Sequence, residues 1–204
     1  MEKTKKIKIF IALFYVFAVL LFLYYFFSKF TLEEVTSYSF IKNNRDYFFE
    51  LREANLFLIG FLFFLFCIIW TLASGFATPV ALFSGFVFGK WIGTIVVVLG
   101  MSIGATGVYL FANYFLKEII REKFLNKFQN LENKFKSSEF YYLLIYRFLG
   151  GVPWMLSCLL PTLFNVKIKN FFFATLIGII PQIFLAVSIG SGLEKIIDQN
   201  EDVP

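Results

Sequence analysis

Arg147, Gly150, Gly151 and Pro153 stand close together in the stretch RFLGGVPWMLSCLLP, residues 147–161. A guanidinium is a permanent cation with a fork of N–H donors that suits carboxylate or phosphate. Two glycines and a proline beside it interrupt any helix that carries it. A chain that restarts as a helix at Pro153 would aim unpaired backbone N–H groups at the same region. These are the parts of a phosphate-type anion site. The rest of the stretch is apolar enough for lipid, where an arginine at mid-depth costs about 3 kcal/mol on the lenient insertion scale. An anionic ligand would offset that cost. The competing reading has Arg147 snorkelling to the headgroup layer or capping carbonyls at the mouth of the break.

Other positions join on their residue type. Thr78 before Pro79 reads as an N-cap followed by proline at the first helical position, a second short-helix start of the same kind. Lys90 beside Trp91 suits the membrane interface or a headgroup contact. Asn165, Gln182 and Asn113 are polar residues in apolar surroundings, placed either to line a seam or to bond a neighbouring helix.

Several chemistries are excluded by what is missing. The chain contains no histidine, which removes Ser-His-Asp and Cys-His nucleophiles, the zinc motif HExxH and histidine proton relays. Gly190, Ser191 and Gly192 therefore cannot form a His-dependent intramembrane serine protease site. Cys67 and Cys158 are far apart in apolar segments without metal-ligand spacing, and both are expected to be buried. Neither a metal, nor a cofactor, nor an enzymatic constellation is expected.

The elements that must position these residues follow from composition. Of 204 residues 59% are hydrophobic, 22% aromatic and only 16% charged, against roughly a quarter charged in soluble domains. The chain reads as an all-α integral membrane protein. Its net charge of +5 sits on Lys and Arg beside apolar runs, where anionic lipid headgroups are the natural partner. Nucleic acid is not expected as a partner.

Residues 1–27 form an uncleaved first transmembrane helix after Lys3, Lys5, Lys6 and Lys8, and residues 28–54 a polar surface connector. Residues 55–72 make a second apolar helix, followed by a break at Gly75, a short helix from Pro79 and a span from Trp91 to Phe115. Glycines in that span suit close helix packing. Residues 116–139 alternate apolar and charged positions at helical spacing, an amphipathic surface helix. The last apolar run, 171–189, has Pro181 inside it, and 193–204 is a tail. The domain division is 1–54, 55–192 and 193–204.

Both halves then share a plan: apolar helix, Gly/Pro break, short helix, polar turn, full span. Paired broken segments of this kind mark a transport site. If each is a re-entrant hairpin, the single crossing between them makes them enter from opposite faces, as an inverted repeat within a helical bundle. Irregular backbone survives at that depth only where protein or a wet cavity satisfies it, so the hairpin tips should meet near Arg147.

On these residues the chain resembles the DedA-like VTT-domain family, also called SNARE-associated Golgi proteins. The likeness spans roughly residues 70–192 and rests on FGKWIG with its following glycines, on Arg147 with Pro153, and on FFFATLIGIIP from Phe171 to Pro181. It implies two opposed re-entrant hairpins and lipid scrambling, or flipping of a phospholipid or polyprenyl-phosphate, in what would be a bacterial inner membrane. A homo-oligomer is compatible with it. The chain departs from the family pattern at Gly150, where a first proline is frequent, at Cys158 in place of asparagine, and at Asn113 in place of arginine. The proton-coupled branch carries carboxylates in its hairpins, whereas this chain has no Asp or Glu between Glu53 and Glu118, which favours transport without a proton. A membrane scaffold or small-solute channel component is the alternative.

Orientation signals conflict at this level. The lysines before the first helix place the N-terminus inside. The basic residues of Lys29–Arg52 and Lys117–Lys136 oppose this if both connectors share the other face.

Overall fold

The computed structural model describes residues 2–29, 47, 50, 53–73, 76–118 and 138–198. Its helices are α1 (Glu2–Lys29), α2 (Leu56–Leu72), α3 (Ala77–Phe115), α4 (Glu139–Leu149), α5 (Trp154–Leu159), α6 (Ile168–Gly178) and α7 (Ile180–Asp198), with a 3-10 turn over Leu160–Phe164. The amphipathic segment, most of the first connector and the last six residues lie outside the described residues. Residues 193–198, expected as tail, are the end of α7.

Asn55 opens α2 as its sequence type demands, its side chain accepting the Leu58 N–H at 3.0 Å. The next start differs from expectation. Phe76, with extended backbone, is the N-cap of α3, and Ala77 is its first residue, so Thr78 caps nothing. The Trp70 indole N–H holds the Phe76 carbonyl at 2.9 Å and anchors the chain there. Pro79 fits the third helical position, where its missing N–H has no intrahelical partner in any case.

The helix α3 is two arms. Gly89 has φ 74° and ψ 173°, a conformation open to glycine and costly to other residues. Ser84 Oγ donates to the Gly93 carbonyl at 3.1 Å, whereas a straight helix would hold those residues about 13 Å apart. The chain therefore folds back at Gly89, and residues 77–88 lie against residues 90–115. The longer arm alone reaches about 39 Å at 1.5 Å per residue, enough to cross a hydrocarbon layer of about 30 Å.

Contacts give the direction of each helix. A Cβ built on Gly100 would lie 2.6 Å from Cys67 Cβ, one on Gly104 2.6 Å from Thr71 Cβ, and one on Gly107 2.8 Å from Leu72. The numbers rise together, so α2 runs parallel to the long arm of α3 and residues 77–88 are the return between them. The second half repeats this. Glu139 accepts from Asn170 Nδ2 at 2.9 Å, Gly178 packs on Arg147, and Gln182 bonds the Phe148 carbonyl at 2.9 Å. Helix α4 is thus parallel to α6 and α7, with residues 154–164 returning between them. The two long helices oppose each other: Tyr109 stacks on Phe171 at 4.5 Å, and Trp91 meets Phe184 at 5.5 Å.

Two core clusters fill the bundle. One joins Cys67, Val80, Val97 and Met101 to Ile183 and Val187; the other joins Ala105 and Tyr109 to Leu143, Cys158, Leu163 and Phe171. Ala77 and Trp154, the first residues of the two return arms, both pack against the first cluster. Large apolar side chains also cover the outside, with Phe57 85%, Tyr24 76% and Leu149 74% exposed, a surface that water would not tolerate.

The directions also revise the reading of the connectors. Asn55 lies toward the Gly89 end of the long arm and Lys117 at its other end, so the two basic connectors leave from opposite ends of the bundle. The expectation placed them together, whereas the long arm of α3 separates the two ends.

Candidate functional site

Helix α4 ends at a double glycine. Gly150 and Gly151 have φ 65° and 80°, which lets the chain turn sharply after Leu149 with no side chain in the way. Pro153 is the N-cap of α5 and Trp154 the first helical residue, so the helix starts one place later than expected. Helix α5 has only 6 residues before tightening into the 3-10 turn, too short for a strong dipole. The anion site anticipated at its N-terminus is therefore not built from that terminus.

Arg147 itself points inward, with only 4% of its surface exposed. Snorkelling is ruled out by that burial. Arg147 Nε donates to Thr175 Oγ1 at 3.2 Å, its Nη1 donates to Ser157 Oγ, and its Nη2 lies 3.5 Å from Cys158 Sγ. The guanidinium also lies between two rings, 5.0 Å from the Trp154 centroid and 5.2 Å from that of Phe171. A desolvated cation gains about 2 kcal/mol from an aromatic face. Every member of this set is neutral, and among the described residues no carboxylate joins it. A guanidinium has more N–H groups than these three bonds use, so the cation is solvated by protein yet not neutralised.

A cavity of about 40 Å³ opens beside the guanidinium, bordered by Tyr146, Arg147, Gly150, Trp154, Ser157 and Gln182 among others. Gln182 Nε2 donates to the Arg147 and Phe148 carbonyls at 3.0 and 2.9 Å, tying the frayed end of α4 to α7. Pro181 supplies no N–H next to it, and the α6–α7 junction falls at Ile179.

Of the residues singled out from the sequence, Arg147, Gly150 and Gln182 border this cavity, and Gly151 and Pro153 form the adjoining turn, both exposed. Thr78 is exposed and Pro79 half-buried at the other return arm. Lys90 is exposed next to the Gly89 turn with its Nζ 5.6 Å from the Trp91 ring. Asn165 is remote: it adopts a left-handed turn (φ 52°) and accepts from Lys117 Nζ at 2.6 Å. Neither Lys90 nor Asn165 borders the Arg147 cavity.

Sequence reasoning missed Ser157, Thr175, Tyr146 and Trp154. Ser157 and Thr175 carry a faint signal, as lone hydroxyls in apolar runs after a buried cation. Cys67 and Cys158 are buried, as their apolar setting indicates.

Comparison with known proteins places the chain in a family. The VTT domain family model matches residues 76–192. The chain is 30% identical over 139 residues to "Transmembrane protein 41 homolog" of Dictyostelium discoideum, covering 64% of this chain and 41% of that one. It is 26% identical over 137 residues to "Transmembrane protein 41 homolog" of Caenorhabditis elegans, covering 63% and 55%. The chain spans about half the length of these curated relatives. No solved structure matches it.

Proposed function

The chain belongs to the VTT domain family of membrane proteins, and from that premise we propose that it moves lipid between leaflets, as a scramblase or lipid-phosphate flippase. In this reading α2 with residues 77–88, and α4 with residues 154–164, are re-entrant hairpins that enter from opposite faces as an inverted repeat. The parallel course of α2 and the long arm of α3, its repetition by α4 and α6, and the opposition of the two long helices support that arrangement. The anionic headgroup sits near Arg147 while the acyl chains remain in the bilayer. The membrane proposed is a bacterial inner membrane; the relatives named above are eukaryotic, and the family extends beyond bacteria.

One observation carries the reading: a buried cation without a carboxylate, beside a cavity at the inner end of a broken helix. Such a charge in a membrane is expensive to hold and marks a pathway or binding site. The absence of Asp and Glu from residues 54–117 leaves a proton-coupling carboxylate out of the first hairpin and favours passive exchange. The experiment is leaflet exchange of a fluorescent phospholipid in vesicles holding the purified chain. Protein-dependent exchange that falls at least tenfold in Arg147→Gln at equal folded yield is the expected result. Exchange equal to protein-free vesicles across several lipid classes defeats the reading.

A second reading has its own support, because the same arginine bonds Ser157 on the return arm and Thr175 on α6. Those bonds staple the second hairpin, as a membrane scaffold or channel component would need. Arg147→Gln would then lower folded yield, and the surviving protein would show no loss specific to exchange.

A further inference from the structure

Helices α2 and α4 each stop inside the bundle, and a helix end leaves its last carbonyls without intrahelical partners. In lipid no water supplies the missing donor, so protein must. At the end of α4 the donor is Gln182 of α7, whose Nε2 bonds the Arg147 and Phe148 carbonyls at 3.0 and 2.9 Å. At the end of α2 the Ala73 N–H turns back to the Ile69 carbonyl at 2.9 Å, and the Leu72 carbonyl accepts from the Tyr15 hydroxyl of α1. The two inner helix ends are therefore finished in the same way, by one side chain reaching in from another helix. Tyr15 is the counterpart of Gln182.

The two donors are held differently. Gln182 sits on α7, which enters the core through Ile183 and Val187. Tyr15 sits on a helix whose described side chains are exposed, apart from Tyr15 and Val19, which are half-buried one turn apart. Its ring packs on Phe111 of α3 with 4.2 Å between centroids. Among the described residues, neither core cluster draws a member from α1. A helix attached by so little can leave without opening the core, and it takes the donor with it.

We propose that α1 is a detachable strap on the first hairpin. Docked, it satisfies the Leu72 carbonyl through Tyr15 and keeps water from the end of α2. Undocked, it leaves that carbonyl to be hydrated, and the hairpin tip opens to water on the α1 side. The strap rests on the hydrogen bond and the ring contact; the lipid reading above gives the opening its use, as a wet path for a headgroup. The Gln182 cap, fixed to a core helix, gives the second hairpin no such freedom.

The test is hydrogen–deuterium exchange of the full chain in lipid nanodiscs, which reads local opening amide by amide. Tyr15→Phe keeps the ring on Phe111 and removes the donor, and amides 70–73 should exchange at least fivefold faster while amides 147–149 are unchanged. Gln182→Leu should reverse that pattern. Phe111→Leu removes the ring contact and leaves the hydroxyl, so it speeds amides 70–73 by a smaller factor and serves where Tyr15→Phe folds poorly. Tyr24→Phe, at a side chain 76% exposed on the same helix, should change neither segment. In vesicles, Tyr15→Phe should raise leaflet exchange of a fluorescent phospholipid at least threefold. Unchanged amides 70–73 in both Tyr15→Phe and Phe111→Leu overturn the strap, as does a uniform rise along the whole chain. Lipid exchange that falls while those amides open overturns the closing role. The expected deuterium pattern with no lipid exchange in any variant refutes translocation and upholds the strap.

Discussion

The two halves of the bundle share one path, helix, return arm and parallel long helix, and differ in what fills the turn. In the first half the return arm is sealed by backbone. Gly85 lies directly on the Val187 carbonyl and Gly190 on the Leu82 carbonyl, and the Ser84 hydroxyl bonds within its own hairpin. No charged residue occurs between Lys90 and Lys117 in that half. The second half puts Arg147, two unpaired polar atoms and a cavity where α4 gives way to its return arm. One hairpin is a packing device, and the other has the features of a site. The contrast teaches that the repeat supplies the geometry and the residues at the turn supply the chemistry.

The largest effect expected is in the sealed half. Gly85→Leu drives a side chain into the α7 backbone, an overpacking that exceeds about 3 kcal/mol and removes most folded protein, read by size-exclusion yield. Gly151→Ala at the other turn meets nothing within 4 Å, and its cost comes from φ 80° alone, of order 1 kcal/mol. Equal losses in the two variants would break the comparison.

Next comes Gly178→Ala. Its Cβ would lie 2.6 Å from Arg147 Cβ and 3.1 Å from the Leu144 carbonyl, so α4 moves away from α6 and the guanidinium leaves Thr175. Lipid exchange should fall several-fold more than thermal stability predicts, when set beside Gly60→Ala, which meets nothing within 4 Å.

Thr175→Val sharpens the picture with a smaller effect. It removes the acceptor for Arg147 Nε while keeping shape, and a hydrogen bond to a charged group is worth about 1.5–3 kcal/mol. Thermal unfolding should report that loss. Ser84→Ala, which removes a neutral bond in the first half, should cost about 1 kcal/mol.

The last prediction leaves activity untouched. Fusions at Ser138 and after Pro204 should report opposite faces, with Ser138 on the cytoplasmic side. Glu118 and Ser138 lie at the same end of the bundle, and the segment between them carries Arg121, Lys123, Lys127, Lys134 and Lys136, the signature of a cytoplasmic loop. If α1 crosses the membrane, its lysine-rich start falls on that side too, in agreement with the second connector and against the basic residues of Lys29–Arg52. Fusions reporting one shared face would contradict the single crossing by α6 and α7.

Much of the fold was legible because breaks are local events. Gly150 and Gly151 were readable as a break since glycine and proline act on their own backbone, and Asn55 as a cap for the same reason. The start of α3 was misjudged by two residues because Trp70, six positions from Phe76, holds that carbonyl, and a side-chain anchor of this kind has no local signature. Arg147 was legible as a charge that lipid would penalise. Its partners were not, because Ser157 and Thr175 are single hydroxyls whose meaning depends on which helix faces them. Asn165 and Lys90 looked equally suitable by type, and the path of the chain carried both away from the cavity.

By itself the sequence determined that this chain lives in a membrane, that it lacks histidine chemistry, and that its helices break in two corresponding places. Those properties follow from residue types acting on solvent and on their own backbone. Only the tertiary structure decided that Arg147 faces inward between Trp154 and Phe171, with Tyr146, Ser157 and Thr175 around it. That outcome depends on parallel and antiparallel packing of helices distant in sequence, which brings residues 147, 157 and 175 to one depth.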